Sequence, residues 1–132
     1  MQYLHQDITD KIIKAFYNVY NRLGYGFLEK VYENAMMIEL PSLGLKCQKQ
    51  KPISVSFKGY TVGEYFADII VEDKVIIELK AAEEIAEAFE AQLLNYLRAT
   101  KIEVGLLLNF GKEPKIKRQI FENKYKDQFK SV

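Results

Sequence analysis

The chain of 132 residues contains one cysteine, Cys47, and one histidine, His5. A single thiol forms no internal disulfide and leaves no paired-cysteine zinc site. A single imidazole leaves no histidine-cluster metal site, and it makes a Ser-His-Asp triad implausible. Any metal is therefore expected on oxygen ligands. No apolar run approaches the ~20 residues that a membrane-spanning helix needs. Residues 1–7 lack a basic segment followed by an apolar one, so no secretory leader is expected and the expected location is cytoplasmic. Glycine and proline number only seven and three, and no linker, repeat or low-complexity stretch breaks the chain.

What is present is enough for one α/β domain over residues 1–132, with a core at about 10–121 and a short C-terminal tail. Hydrophobic residues make up 48% and charged residues 28%, which excludes disorder. Nineteen bases against eighteen acids give a net charge of +1, which excludes a histone-like surface but leaves room for a local basic patch. Residues 72–91 hold seven acids and two lysines, and residues 112–130 hold seven bases and three acids. That polarity suits a phosphate backbone, and it equally suits an ordinary solvated surface.

Apolar residues at spacings of three and four (Ile12, Phe16, Val19, Leu23) predict a first helix capped by Asp7 or Thr9. Gly24-Tyr25-Gly26 breaks it. A second helix is predicted over residues 27–40 with Leu28, Val31, Tyr32, Ala35 and Ile38 inward. The period then becomes two. Strands are predicted at 45–50, at 53–57 after a break at Pro52, at 62–71, and at Val75–Lys80, the last two as an antiparallel hairpin. A long helix is predicted over 83–100 with Ile85, Phe89, Leu93, Tyr96 and Leu97 buried. Val104–Phe110 is almost wholly apolar, as in a strand covered on both faces, and residues 115–121 read as an edge strand. Cys47 reads as a small strand or core residue, and the nine tyrosines read mainly as packing.

Two acids stand out because they interrupt apolar strands. Asp68 lies within Phe66-Ala67-Asp68-Ile69-Ile70-Val71, and Glu78 follows Val75-Ile76-Ile77. A hairpin turning at Glu72-Asp73-Lys74 brings them to neighbouring strands, and alternation puts Lys80 on the face of Glu78. Burying like charges together is unfavourable unless a cation joins them. Mg²⁺ accepts such a site of few carboxylates plus water and phosphate oxygens, and a lysine beside it is placed to hold or activate an attacking water. The plainer reading is that Glu78 and Lys80 form an exposed pair on an open sheet.

Asp68 and Glu78-Leu79-Lys80 resemble the acid and (D/E)XK elements of the PD-(D/E)XK nuclease superfamily, with Ala67 where a proline often precedes the acid. The chain also resembles the small GxxExxY family grouped with those nucleases. Gly26-Phe27-Leu28-Glu29-Lys30-Val31-Tyr32 matches its naming motif, and the similarity extends through Gly63-Glu64-Tyr65-Phe66-Ala67-Asp68, Gln92-Leu93-Leu94-Asn95-Tyr96-Leu97 and Gly105-Leu106-Leu107-Leu108-Asn109-Phe110-Gly111. The resemblance implies a restriction-endonuclease-like mixed sheet core flanked by helices. It also implies Mg²⁺-dependent hydrolysis of phosphodiester bonds, with Mn²⁺ as a substitute. Glu29 on the early helix would join Asp68 and Glu78 as metal ligand, with the Leu79 carbonyl as a further one. Lys80 would position water, and Gln92 and Tyr96 on the long helix would assist. The substrate would be nucleic acid, DNA ahead of RNA. A homodimer is a reasonable expectation, because so short a chain encloses a duplex poorly.

Other roles stay open at this point. The alternative for Glu29 is pairing with a lysine or capping its helix, for Gln92 a buried amide that satisfies backbone groups, and for Tyr96 a core aromatic. Glu33 reads as solvated. The alternative for the whole domain is a catalytically silent nucleic-acid-binding or protein-interaction module.

Overall fold

The computed structural model describes residues 3–126. Of the expected C-terminal tail, residues 122–126 are described and include a short 3-10 turn at Asn123–Tyr125, whereas residues 127–132, with Lys130 of the basic stretch, lie outside the described residues. Two helices come first, α1 (Gln6–Leu23) and α2 (Glu29–Ser42). Strands β1 (Cys47–Phe57), β2 (Tyr60–Val71) and β3 (Val75–Lys80) follow. Helix α3 (Glu87–Arg98) then leads to β4 (Val104–Phe110) and β5 (Pro114–Ile120). The strands form one mixed sheet in the order β1-β2-β3-β4-β5. Only β3 and β4 run parallel, joined by the crossover through α3, and the other pairs are antiparallel.

The sheet carries a core on each face. Helices α1 and α2 cover one side, where Phe16, Tyr32, Met36, Ile77, Leu79 and Phe110 pack together. Helix α3 covers the other, where Leu93 and Leu97 meet Ile70, Ile76 and Leu107. Every residue of β4 is buried, as its apolar run predicts, and β5 is the expected edge strand. Gly105 of β4 is required by packing: a Cβ there would stand 2.7 Å from Leu93 Cδ1, so its absence lets α3 lie close to the sheet.

Several boundaries differ from expectation for physical reasons. Helix α1 is preceded by His5 in the left-handed region, φ 57°, with no side-chain cap. Asp7 lies inside the first turn and the Thr9 hydroxyl bonds the Gln6 carbonyl instead. Pro52 does not separate two strands. It sits within β1, which is a sheet edge and tolerates one missing N–H. Lys58 and Gly59, both at positive φ, make a two-residue hairpin turn, which lets β2 start at Tyr60. Helix α3 starts at Glu87, not at 83, and residues 82–84 form a bend.

Helix α2 is rotated from its predicted orientation. Its buried stripe is Tyr32, Glu33, Met36 and Leu40, whereas Leu28, Val31 and Ile38 are exposed. Tyr32 sets that rotation. Its ring stacks on Phe110 at 4.1 Å, and its hydroxyl donates to the Gly24 carbonyl at 2.7 Å and accepts the Phe27 N–H at 3.3 Å. Gly24 and Gly26 adopt φ of 68° and 109°, which L side chains rarely occupy. The turn between α1 and α2 is thereby pinned to the core through one phenol.

Candidate active site

The β2–β3 ladder contains three residue pairs and stops at Ile69 opposite Ile77. Beyond that point β2 stays with β1, while β3 stays with β4 through Glu78, Leu79 and Lys80. The sheet forks, and Asp68 and Glu78 are the next residues on either side of the fork. Backbone N–H groups that would have paired across the ladder need other partners. The two acids supply them reciprocally. The Asp68 N–H donates to Glu78 Oε2 at 2.9 Å, and the Leu79 N–H donates to Asp68 Oδ2 at 2.8 Å. Each carboxylate thus has one oxygen anchored to the opposite strand, which fixes the pair rigidly.

Glu78 is only 5% exposed. Burial, followed by repulsion from Asp68, pushes its carboxyl up to about 8. Burial also raises Asp68, with Glu33 adding to it, against the Leu79 N–H, Glu78 and Lys80, which favour the charged form. Burial and the closeness of the two carboxyls disfavour charging both at once, so the pair favours holding a proton. The donor set is two hard carboxylates held side by side, and it fits an oxygen-loving divalent cation that would replace that proton. Among the described residues, no group of three His, Cys, Asp or Glu side chains is placed to hold one ion.

Glu29 is not part of this arrangement. It is exposed in the first turn of α2. The helix carboxylate that acts on Asp68 is Glu33, which is 6% exposed rather than solvated. It is held by the Lys30 ammonium at 3.4 Å and the Gln50 amide at 3.2 Å. Gln50 sits opposite Asp68 but drops out of the β1–β2 ladder with φ 52°, so its side chain can turn to Glu33. The sequence does carry a signal for this. Tyr32, Met36 and Leu40 recur every four residues, and Glu33 adjoins that stripe.

Lys80 lies on the α3 side. Its ammonium stands 4.5 Å from the centre of the Phe89 ring and favours the charged forms of both Asp68 and Glu78. Tyr96 is buried within the α3 core, as a core aromatic would be, yet its hydroxyl accepts the Gln92 amide at 2.9 Å. That hydroxyl is raised by burial and then by the nearby Glu78 carboxylate. Gln92 is half-buried and contacts Tyr96 rather than backbone. Leu79 places its side chain in the α1–α2 core, and its N–H is taken by Asp68. Asn109, opposite Lys80 on β4, was not singled out by the sequence. Its amide bonds both the N–H and the carbonyl of Ala82 at 2.9 Å, tying down the chain that leaves Lys80. Cys47 begins β1 half-buried, and burial pushes its thiol up to about 11, which leaves it unreactive.

Two acids on diverging strands with a lysine two residues after the second is the arrangement that the resemblance implies. A family model described as the PD-(D/E)XK nuclease superfamily matches residues 6–120. The chain belongs to the PD-(D/E)XK nuclease superfamily. The match spans both helices and all five strands, and the mixed sheet flanked by helices is the restriction-endonuclease-like α/β fold. Membership in this superfamily points to nuclease chemistry, a nucleic-acid substrate and use of a divalent metal. Comparison with curated proteins and with solved structures returned no match. No helix among the described residues is long and apolar enough to cross a membrane.

Proposed function

We propose that the chain hydrolyses nucleic-acid phosphodiester bonds with Mg²⁺, or Mn²⁺ in its place, and that within the superfamily it belongs to the GxxExxY proteins. The observation that carries this reading is the buried acid pair at the sheet fork, anchored by reciprocal backbone bonds. Neutral acceptors could serve those backbone N–H groups without the repulsion of two buried acids, whereas a pair of acids gains when it receives a dication.

Asp68 and Glu78 would hold the metal through their unanchored oxygens, with the Leu79 carbonyl as a further ligand and Glu33, in place of Glu29, supporting Asp68 from α2. A bound metal would supply positive charge near the phosphate and lower the pKa of a water, with water and phosphate oxygens able to complete its ligands. Lys80 would donate to a water or a phosphate oxygen there. Gln92 and Tyr96 would act as a hydrogen-bonded pair, the amide holding the phenol near Glu78.

Purified protein incubated with single- and double-stranded DNA and RNA in Mg²⁺, Mn²⁺ or EDTA tests this directly. Cleavage is expected with either metal, and it should fall by about 100-fold or more in Lys80→Ala and Glu78→Gln. Activity that persists in both variants would assign it to a contaminant. A catalytically silent domain has one observation in its favour, the lack of a three-ligand group among the described residues. Oligonucleotide binding without metal-dependent cleavage would select it.

A further inference from the structure

Beyond the β2–β3 fork, β1 and β2 continue as a two-stranded ribbon to the turn at Lys58 and Gly59, with no third strand beside it among the described residues. One face of this ribbon and helix α3 border a groove of about 1520 Å³. That is larger than a typical small-molecule pocket. Two properties of its wall are unusual. Among the described residues, the charged side chains that line it are all basic: Lys58, Lys80 and Arg98, with Lys126 buried at its edge on the Thr100 and Ile102 carbonyls, although the chain as a whole is nearly neutral. Its wall also carries aromatic rings that the core does not consume: Phe57 is 62% exposed and Tyr65 49%.

The groove is continuous with the candidate active site. Lys80, Gln92 and Tyr96 line it, and the Tyr65 ring lies 5.8 Å from that of Tyr96, whose hydroxyl neighbours Glu78 and Asp68. Phe57, Tyr65 and Tyr96 thus lead along one wall to the acid pair, with cations beside them.

We infer that this groove holds single-stranded nucleic acid, with unstacked bases on Phe57 and Tyr65 and the backbone directed by Lys58 and Lys80 toward Asp68 and Glu78. Alternating cations and open aromatic faces suit a strand whose bases are free to stack on protein. In a duplex the base faces are already covered by their neighbours and cannot reach these rings. The inference specifies the substrate of the proposed nuclease and rests on that reading for its chemistry, but its binding test does not.

The test is fluorescence anisotropy in EDTA, which reads binding without cleavage. The probe is a fluorescein-labelled strand of about 12 nucleotides, as DNA and as RNA, alone or annealed to its complement. The single strand is expected to bind at least tenfold tighter than the duplex. Phe57→Ala and Tyr65→Ala should each weaken single-strand binding about tenfold, and Tyr65→Phe should restore it. Lys58→Glu should weaken it and flatten its salt dependence, while Lys14→Glu on the opposite helix layer should not. Both aromatics are exposed, so their loss does not threaten folding, and far-UV circular dichroism verifies this. Equal or tighter duplex binding, or aromatic variants that bind like the wild type, would overturn the inference. So would a dimer, seen by sedimentation, that Phe57→Ala dissociates while oligonucleotide binding is kept, because a second copy would then fill the groove. Tight single-strand binding without cleavage in Mg²⁺ would keep this inference and reject the nuclease reading.

Discussion

Replacing Glu78 with glutamine should stabilise the metal-free protein at slightly alkaline pH. Glu78 is pushed from 4.5 up to about 8 in the folded state. Between those values the native protein holds a proton that the unfolded chain has released. The unfolded state therefore binds fewer protons, and stability falls as pH rises through this window. Each unit is worth about 1.36 kcal/mol, so the loss approaches roughly 4 kcal/mol by pH 8. Asp68, also raised, acts in the same direction. Lys126, pushed down to about 8 by burial, titrates with the opposite sign but only above this window. A loss of that size is a large fraction of the stability of such a domain and corresponds to roughly 10–20 °C in Tm. Glutamine keeps an acceptor for the Asp68 N–H and a donor for the Asp68 carboxylate, so it imitates the protonated acid. Thermal melts in EDTA at pH 5 to 8 should show the wild type falling and Glu78→Gln nearly flat, with the curves crossing. Adding Mg²⁺ at about 100 times its Kd should recover about 2.7 kcal/mol for the wild type at pH 8 and little for the variant. A wild-type Tm that is flat or rising over this range, or that runs parallel to the variant's, would refute the buried-pair reasoning.

The two helix acids separate by nuclease assay: Glu33→Gln should lower activity by about tenfold or more by removing a buried negative charge beside the cation site, whereas the exposed Glu29→Gln should leave it unchanged. Tyr32→Phe removes the hydroxyl that bridges Gly24 and Phe27 and should cost about 1–2 kcal/mol in urea unfolding, with most of the ring packing on Phe110 retained. Gly105→Ala puts a methyl group against the fully buried Leu93 and should cost about 1–3 kcal/mol by the same measurement, while an unchanged urea midpoint would show that α3 can shift away from the sheet.

The fold was legible where burial pattern alone decides it. The unbroken apolar run of β4 predicted a strand covered on both faces, and seven buried residues occupy it. The hairpin of β2 and β3 followed from alternation and a polar turn. Legibility failed where a tertiary partner overrides a local signal. Pro52 reads as a break in isolation, but an edge strand has no second neighbour to miss its N–H. The start of α3 was placed too early because Glu83 and Glu84 are good helix formers. In the fold, Asn109 holds the Ala82 backbone in another conformation.

The site shows the same division more sharply. Asp68, Glu78 and Lys80 stand out in the sequence because an acid inside an apolar strand is unfavourable and needs a reason, and the fold sets Asp68 and Glu78 side by side at the fork. Glu29 was chosen because it occupies a named motif position, and motif position says nothing about where a side chain points. The motif has a different physical content here. Its glycine makes the left-handed turn, and its tyrosine locks that turn and stacks on Phe110. Once Tyr32 is fixed in the core, the next residue, Glu33, lies 100° around the helix on the buried flank facing Gln50 and Asp68. The motif glutamate lies one turn earlier on the same flank, in the first turn of α2, and is exposed. Position along α2, and not its rotation alone, therefore decides between the two acids, and Glu33 is the one buried near Asp68.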